Sequence, residues 1–226
     1  MLRNTRLSGA GVQVHAEPFA FLIATGMLRL DAQAGLQRDF PRYRQAGFFP
    51  YQRSDCGPAV NRLIDELTAP TFVDTLGDLV GIAKMSALPA LVTLCSRLHR
   101  RHGTIHTDSR SKVVTALVYL ESQWPHGSAG CLRFLSRSDD IGSTLAPELP
   151  PVFGNLAAFG RADNSFHGHL PFAGQRRVIQ IAWLTGENEL RRKTRRGRAT
   201  RWLKRLLGPL DRHIGALRDP DKAHFD

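Results

Sequence analysis

His106-Thr107-Asp108 places an imidazole and a carboxylate two residues apart. In extended backbone, residues i and i+2 point to the same face, so both groups can address one point in space. One more histidine from a distant segment would complete a two-nitrogen, one-carboxylate set. That set suits Fe(II) and leaves coordination positions open on the other side of the ion. Two candidates stand in Ser165-Phe166-His167-Gly168-His169-Leu170-Pro171, and parity does not separate His167 from His169. The His-x-Asp tripeptide alone is a weak signal, since a second copy, His224-Phe225-Asp226, has no later histidine to complete a site.

A second feature points to an anion. Arg177 opens an apolar run in which Arg177, Ile179, Ile181 and Trp183 alternate onto one face. A guanidinium on an apolar face is costly unless an anion meets it, and guanidinium pairs bidentately with carboxylate. A bound dicarboxylate is therefore expected there. Thr115 and Tyr119 share parity in the run Val113 to Leu120, so their hydroxyls could reach the same carboxylate.

These groups need a scaffold. Glu17 to Ile23, Leu91 to Leu98, Val113 to Leu120, Gly130 to Leu135, Gly154 to Phe159 and Arg177 to Leu184 have strand texture, separated by Gly/Pro/Ser/Asp loops. Leu91 to Leu98 would also serve as a short helix. Short strands divided by turns suggest a sandwich or jelly roll. Upstream, Asp31 is placed to cap a helix through Gln37. Val60, Leu63, Ile64 and Leu67 form one face of a helix over 55–67, and Phe72, Leu76 and Leu79 one face of a helix over 71–79. Residues 1–15 have little pattern. Loops 41–58, 121–129 and 136–151 are expected to shape an entrance.

The chain of 226 residues is 42% hydrophobic, enough for one sizeable core. Its net charge of +11 is concentrated in a tail: between Glu187 and His213 stand ten Lys/Arg against three Asp/Glu. The division expected is a domain over 1–186 and a basic amphipathic tail over 187–226, whose stripe is Trp202, Leu203, Leu206, Leu207 and Leu210. Through residues 191–213 such a tail would suit an anionic membrane surface better than nucleic acid, because phosphate binding alone needs no apolar stripe. Cys56, Cys95 and Cys131 are odd in number and form no CxxC pair, which favours a reducing compartment. With no signal peptide evident, the expected location is cytoplasmic, peripheral to a membrane where the tail engages one.

The order HxD, T-x3-Y-L, G-x-L-x-F, H-x3-P and then Arg six before Trp, over about residues 100–184, resembles the prolyl 4-hydroxylase-like iron(II)/2-oxoglutarate dioxygenases. The resemblance implies a mainly β fold with flanking helices, a double-stranded β-helix (jelly roll) buttressed by N-terminal helices. It implies His106, Asp108 and His167 as iron ligands, since His167 has Pro171 at +4 and Arg177 at +10, whereas His169 fits those spacings worse. It implies Arg177, with Tyr119 and Thr115, as the 2-oxoglutarate contacts, Arg176 at +9 being second choice. Ala129-Gly130 replaces the family's usual Gly-Gly. The implied reaction decarboxylates 2-oxoglutarate to succinate and returns a hydroxyl to a substrate C–H, with ascorbate as accessory reductant. Asp108 favours hydroxylation over the halogenation of relatives that leave the carboxylate position empty. Implied substrates span a protein prolyl residue, an amino acid, a glycan or lipid precursor and a specialised metabolite. The rival reading is a non-catalytic jelly-roll module held to a membrane or acidic polymer by its basic tail.

Overall fold

Strand β5 (Lys112–Tyr119) lies at the centre of a seven-stranded sheet. Across the sheet the order is β1 (Val12–His15), β2 (Phe21–Ala24), β7 (Leu156–Gly160), β5, β9 (Gly174–Leu184), β4 (Ala90–Leu98) and β3 (Phe48–Pro50). Every pairing is antiparallel. A second, two-stranded sheet pairs β6 (Arg133–Phe134) with β8 (His167–Gly168). The computed structural model describes residues 1–3, 7–9 and 11–206, with side chains given up to residue 197.

Both faces of the large sheet are covered, which is why residues 113–119 of β5 and 178–184 of β9 are mostly apolar on both faces rather than alternating. One face packs on α1 (Gln33–Asp39), α2 (Pro58–Leu67) and α3 (Pro70–Leu79), joining Val114, Ala116, Val118, Ile179, Ile181 and Trp183 to Leu63, Ile64, Phe72 and Leu76. The opposite face joins Phe21, Cys95, Leu117, Tyr119, Phe159 and Val178 to Phe134 of the small sheet. The result is the expected jelly roll: two β layers around one cluster, with helices buttressing the outside of the larger layer. Each fully buried aliphatic or aromatic side chain contributes roughly 1.5–3 kcal/mol, so these two clusters supply the bulk of the drive to fold.

Several expectations shift in detail. Asp31 does not cap a helix; it pairs with Arg29, and a 3-10 turn over Leu30–Ala32 precedes α1. Helices α2 and α3 start at Pro58 and Pro70, where a missing N–H costs nothing. Residues 1–15 hold more structure than their pattern suggested: β1 is the outer strand of the sheet, and the Met1 amino group pairs with Glu66. Loop 41–58 contributes β3 and the start of α2. Leu91 to Leu98 lies in strand β4. Strand β8, only two residues long, had no readable signal.

After β9 the chain turns into α4 (Glu187–Leu206), whose Arg191, Arg195 and Arg196 are exposed. Among the described residues no helix is long and apolar enough to cross a membrane. The stripe expected at Trp202, Leu203 and Leu206 falls where side chains are not described, and Leu207, Leu210 and residues 214–226 lie outside the described residues.

Candidate metal centre and anion pocket

His106 and His167 meet across an isolated antiparallel bridge. Each backbone N–H donates to the other's carbonyl at 3.0 Å. Directly opposed residues in such a pair project to the same side, so the two rings are brought together, 4.4 Å between centroids. The bridge extends the small sheet, in which His167 also faces Phe134. Gly168 allows the approach: a Cβ there would stand 3.0 Å from the Gly103 carbonyl oxygen and 3.2 Å from that of Thr104.

The tautomers follow from the partners. His106 Nδ1 lies 2.7 Å from the Thr104 carbonyl, and His167 Nδ1 lies 3.0 Å from the Ser165 carbonyl. A carbonyl can only accept, so each Nδ1 keeps its proton, and Nε2 is the nitrogen left to present a lone pair to a metal. Carbonyl-oriented imidazoles of this kind are prepared for a metal. His167 is further fixed by Phe159, 4.3 Å away between centroids.

Asp108 supplies the third donor, and one ligand atom each from His106, Asp108 and His167 all lie within 4.8 Å of one another. Lys112 Nζ donates to Asp108 Oδ1 at 2.7 Å and Thr115 Oγ1 to Oδ2 at 2.5 Å. Burial pushes the Asp108 carboxyl up, but Lys112, followed by His167 and His106, outweighs it and holds the group well below the usual carboxylate range. Two imidazole nitrogens and one ionised oxygen are the donor set that a ferrous ion accepts, so the residues present fit the metal. Lys112 was missed at the sequence level; its only trace was a cation opening an otherwise apolar strand. Thr115 is placed differently from expectation, because its hydroxyl serves Asp108.

His169, the alternative third ligand, is turned elsewhere. Its Nδ1 lies 2.8 Å from the Leu170 carbonyl and its ring packs on Gly103. Burial, then Arg176, lower its pKa to about 4, so it is neutral.

The clamp needs a correction. Arg177 shares a face with Ile179, Ile181 and Trp183, as expected, but that face is the helix side of the sheet. There Arg177 Nη1 pairs with Glu121 Oε2 at 3.0 Å, and Gln175 donates to the same oxygen. Arg176 occupies the inner face. It is 3% exposed, its guanidinium carbon lies 5.1 Å from the Tyr119 ring centroid, its Nη2 is 3.4 Å from the Tyr119 hydroxyl, and its Nε donates to the Gly130 carbonyl at 3.0 Å. Among the described residues no carboxylate pairs with Arg176. Burial raises the Tyr119 phenol above its ordinary pKa, partly offset by Arg176, so the hydroxyl is a donor at neutral pH. Arg133 is held by Glu148 and the Ile141 carbonyl.

Comparison with known proteins gives a consistent picture. Residues 94–185 match the family model described as the 2OG-Fe(II) oxygenase superfamily. Among solved structures the chain resembles a prolyl-4-hydroxylase from Pseudomonas putida, at 15% identity and a TM-score of 0.53, covering 73% of this chain and 92% of that one. Weaker likeness extends to a Trichoplax adhaerens prolyl hydroxylase in complex with a hypoxia inducible factor peptide fragment, at 14% identity and TM-score 0.48, covering 73% and 83% of the two chains. It extends also to HygX from Streptomyces hygroscopicus with nickel and 2-oxoglutarate bound, at 17% identity and TM-score 0.45, covering 73% and 82%. No curated protein matches the chain.

Proposed function

We infer, from a chain whose residues 94–185 belong to the 2OG-Fe(II) oxygenase superfamily, that this protein is a hydroxylase in which His106, Asp108 and His167 hold the iron and Arg176 with Tyr119 holds 2-oxoglutarate. One observation supports the co-substrate site most directly. Arg176 is a buried cation whose protein partners are a carbonyl and a phenol. A buried charge of this kind calls for a counter-ion, and the distal carboxylate of a dicarboxylic acid supplies one.

When bound, iron supplies the oxidising chemistry with dioxygen, and 2-oxoglutarate leaves as succinate and carbon dioxide. The protein's own part is geometric and electrostatic. The bridge between His106 and His167 sets the spacing of the two imidazoles. The Thr104 and Ser165 carbonyls hold each proton on Nδ1, and Lys112 with Thr115 keeps Asp108 ionised and oriented. Phe134, Phe159 and Tyr119 line an apolar interior that excludes water. The substrate is an unactivated C–H carried by a small molecule or a peptide.

The test is to incubate the protein with Fe(II), 2-oxoglutarate and dioxygen and to measure succinate. We expect succinate release from the wild type and none from His106→Ala. Absence of release, together with no rise in melting temperature on adding Fe(II) and 2-oxoglutarate anaerobically, would leave the non-catalytic binding module as the better account.

A further inference from the structure

The segment that holds Arg176 is itself held by an aromatic group that the reaction does not require. Arg176 Nε donates to the Gly130 carbonyl at 3.0 Å. The peptide unit just before that carbonyl is gripped on both edges. The Ala129 carbonyl accepts from Trp124 Nε1 at 3.0 Å, and the Gly130 N–H donates to the Leu170 carbonyl at 3.1 Å. Only the φ and ψ of Gly130 lie between the gripped peptide and the carbonyl that meets Arg176. Glycine is the residue whose torsions are least restrained by its own side chain, and its φ of +78° lies in the left-handed region. Neighbours must therefore do the restraining.

Trp124 and Phe172 surround that glycine. A Cβ on Gly130 would stand 2.9 Å from Trp124 Cζ2 and 3.1 Å from Phe172 Cγ. The two rings pack 4.7 Å apart, and His126 completes the group at 4.8 Å from Trp124 and 5.0 Å from Phe172. Phe172 also abuts Gly174, two residues before Arg176 on the same strand.

We propose that Trp124 is a positioning residue for the co-substrate: through the Ala129–Gly130 peptide it aims the Arg176 guanidinium at the distal carboxylate of a 2-oxo dicarboxylic acid, and so sets the preference for a five-carbon diacid over the five-carbon 2-oxo acid that lacks the distal carboxylate. The proposal rests on the reading of Arg176 as the clamp. It does not place Trp124 in contact with any reacting atom.

The experiment needs binding alone. The full chain loaded with Mn(II), without oxygen, is titrated calorimetrically with 2-oxoglutarate and with 2-oxovalerate, which has the same carbon chain but no distal carboxylate. The readout is the ratio of the two affinities. Trp124→Phe keeps a ring against Phe172 and removes the N–H together with part of the indole. It should reduce the ratio by roughly three- to tenfold, the worth of one hydrogen bond, through weaker 2-oxoglutarate binding with 2-oxovalerate unchanged. Trp124→His, which retains a ring N–H, should restore part of it. Arg176→Met should bring the ratio near one. If Arg176→Met leaves the ratio intact, the clamp reading itself is wrong and the proposal goes with it. If Arg176→Met collapses the ratio but Trp124→Phe does not change it, the role of Trp124 alone is overturned. A variant that lowers both affinities equally would show packing rather than aim, and would also overturn it. Should Trp124→Phe fail to fold, Phe172→Leu loosens the same indole while leaving its N–H. A wild-type ratio there would count against the proposal, and a lowered ratio for it.

Discussion

Tyr119 stands directly opposite Val178 across the ladder between β5 and β9. Side chains alternate along a strand, so Arg176, two residues before Val178, shares the face of Tyr119, and Arg177 takes the other. This one register relationship puts the two adjacent arginines to different uses. Arg176 sits over the Tyr119 ring in the interior, while Arg177 neutralises buried Glu121 on the helix side.

The two arginines are therefore separable by mutation. Arg176→Met should weaken 2-oxoglutarate binding to the Mn(II)-loaded protein by on the order of a hundredfold, because a buried carboxylate loses its cation. Arg177→Met should leave that affinity unchanged and cost about 1–3 kcal/mol of stability instead, since Glu121 loses a charge-assisted partner. Calorimetric titration and urea denaturation of both variants check this.

The three-ligand centre makes a prediction about metal binding that does not depend on turnover. His167→Ala should abolish the rise in melting temperature caused by Mn(II), and His169→Ala should retain it, because His169 Nδ1 meets the Leu170 carbonyl and its ring packs on Gly103. Loss of the metal response in His169→Ala with retention in His167→Ala would reverse the assignment.

Lys112 and the metal bear on the same carboxylate. Lys112→Met leaves Asp108, 4% exposed, without its cation and should destabilise the metal-free protein by about 3 kcal/mol or more. A divalent cation supplies positive charge at the same place. The metal-induced rise in melting temperature should therefore be larger in Lys112→Met than in the wild type, as differential scanning fluorimetry would show.

Cys131 gives a pH dependence. Burial, then Glu148, push its thiol up from 9.0 to about 11. The unfolded chain thus releases a proton near pH 9 that the folded chain keeps, so the stability contributed by the neutral thiol is complete below pH 9 and is lost as pH rises from 9 toward 11. Cys131→Ala should flatten the fall in melting temperature over that window. In the folded protein at pH 8, iodoacetamide should label Cys56, which is partly exposed, well before Cys131.

Much of this molecule is legible from residue types. His106-Thr107-Asp108, the later His167 and the paired arginines announce a metal centre with an anion beside it, and the run Val113 to Leu120 reads as a buried strand. Those features are local: spacing of two puts side chains on one face whatever the fold. The identity of that face is not local. Ile179, Ile181 and Trp183 made Arg177 look inward because both faces of β9 are apolar, and an alternating pattern cannot distinguish a face covered by helices from one covered by a second sheet. The minor strand His167–Gly168 was illegible for a related reason, since two residues hold no periodicity and are extended only because His106 and Phe134 pair with them.

The amino-acid sequence by itself determined which groups were available: two imidazoles, one carboxylate, a guanidinium and a phenol, in an order that brings strands together. Tertiary structure alone decided which arginine enters the interior, that Thr115 and Lys112 serve Asp108, and that Trp124 grips the peptide beside the Gly130 carbonyl that Arg176 meets. The physical reason is that the first set depends on chemistry and i, i+2 geometry, whereas the second depends on cross-strand register and on contacts between residues as far apart as Gly130 and Arg176, which no local pattern encodes.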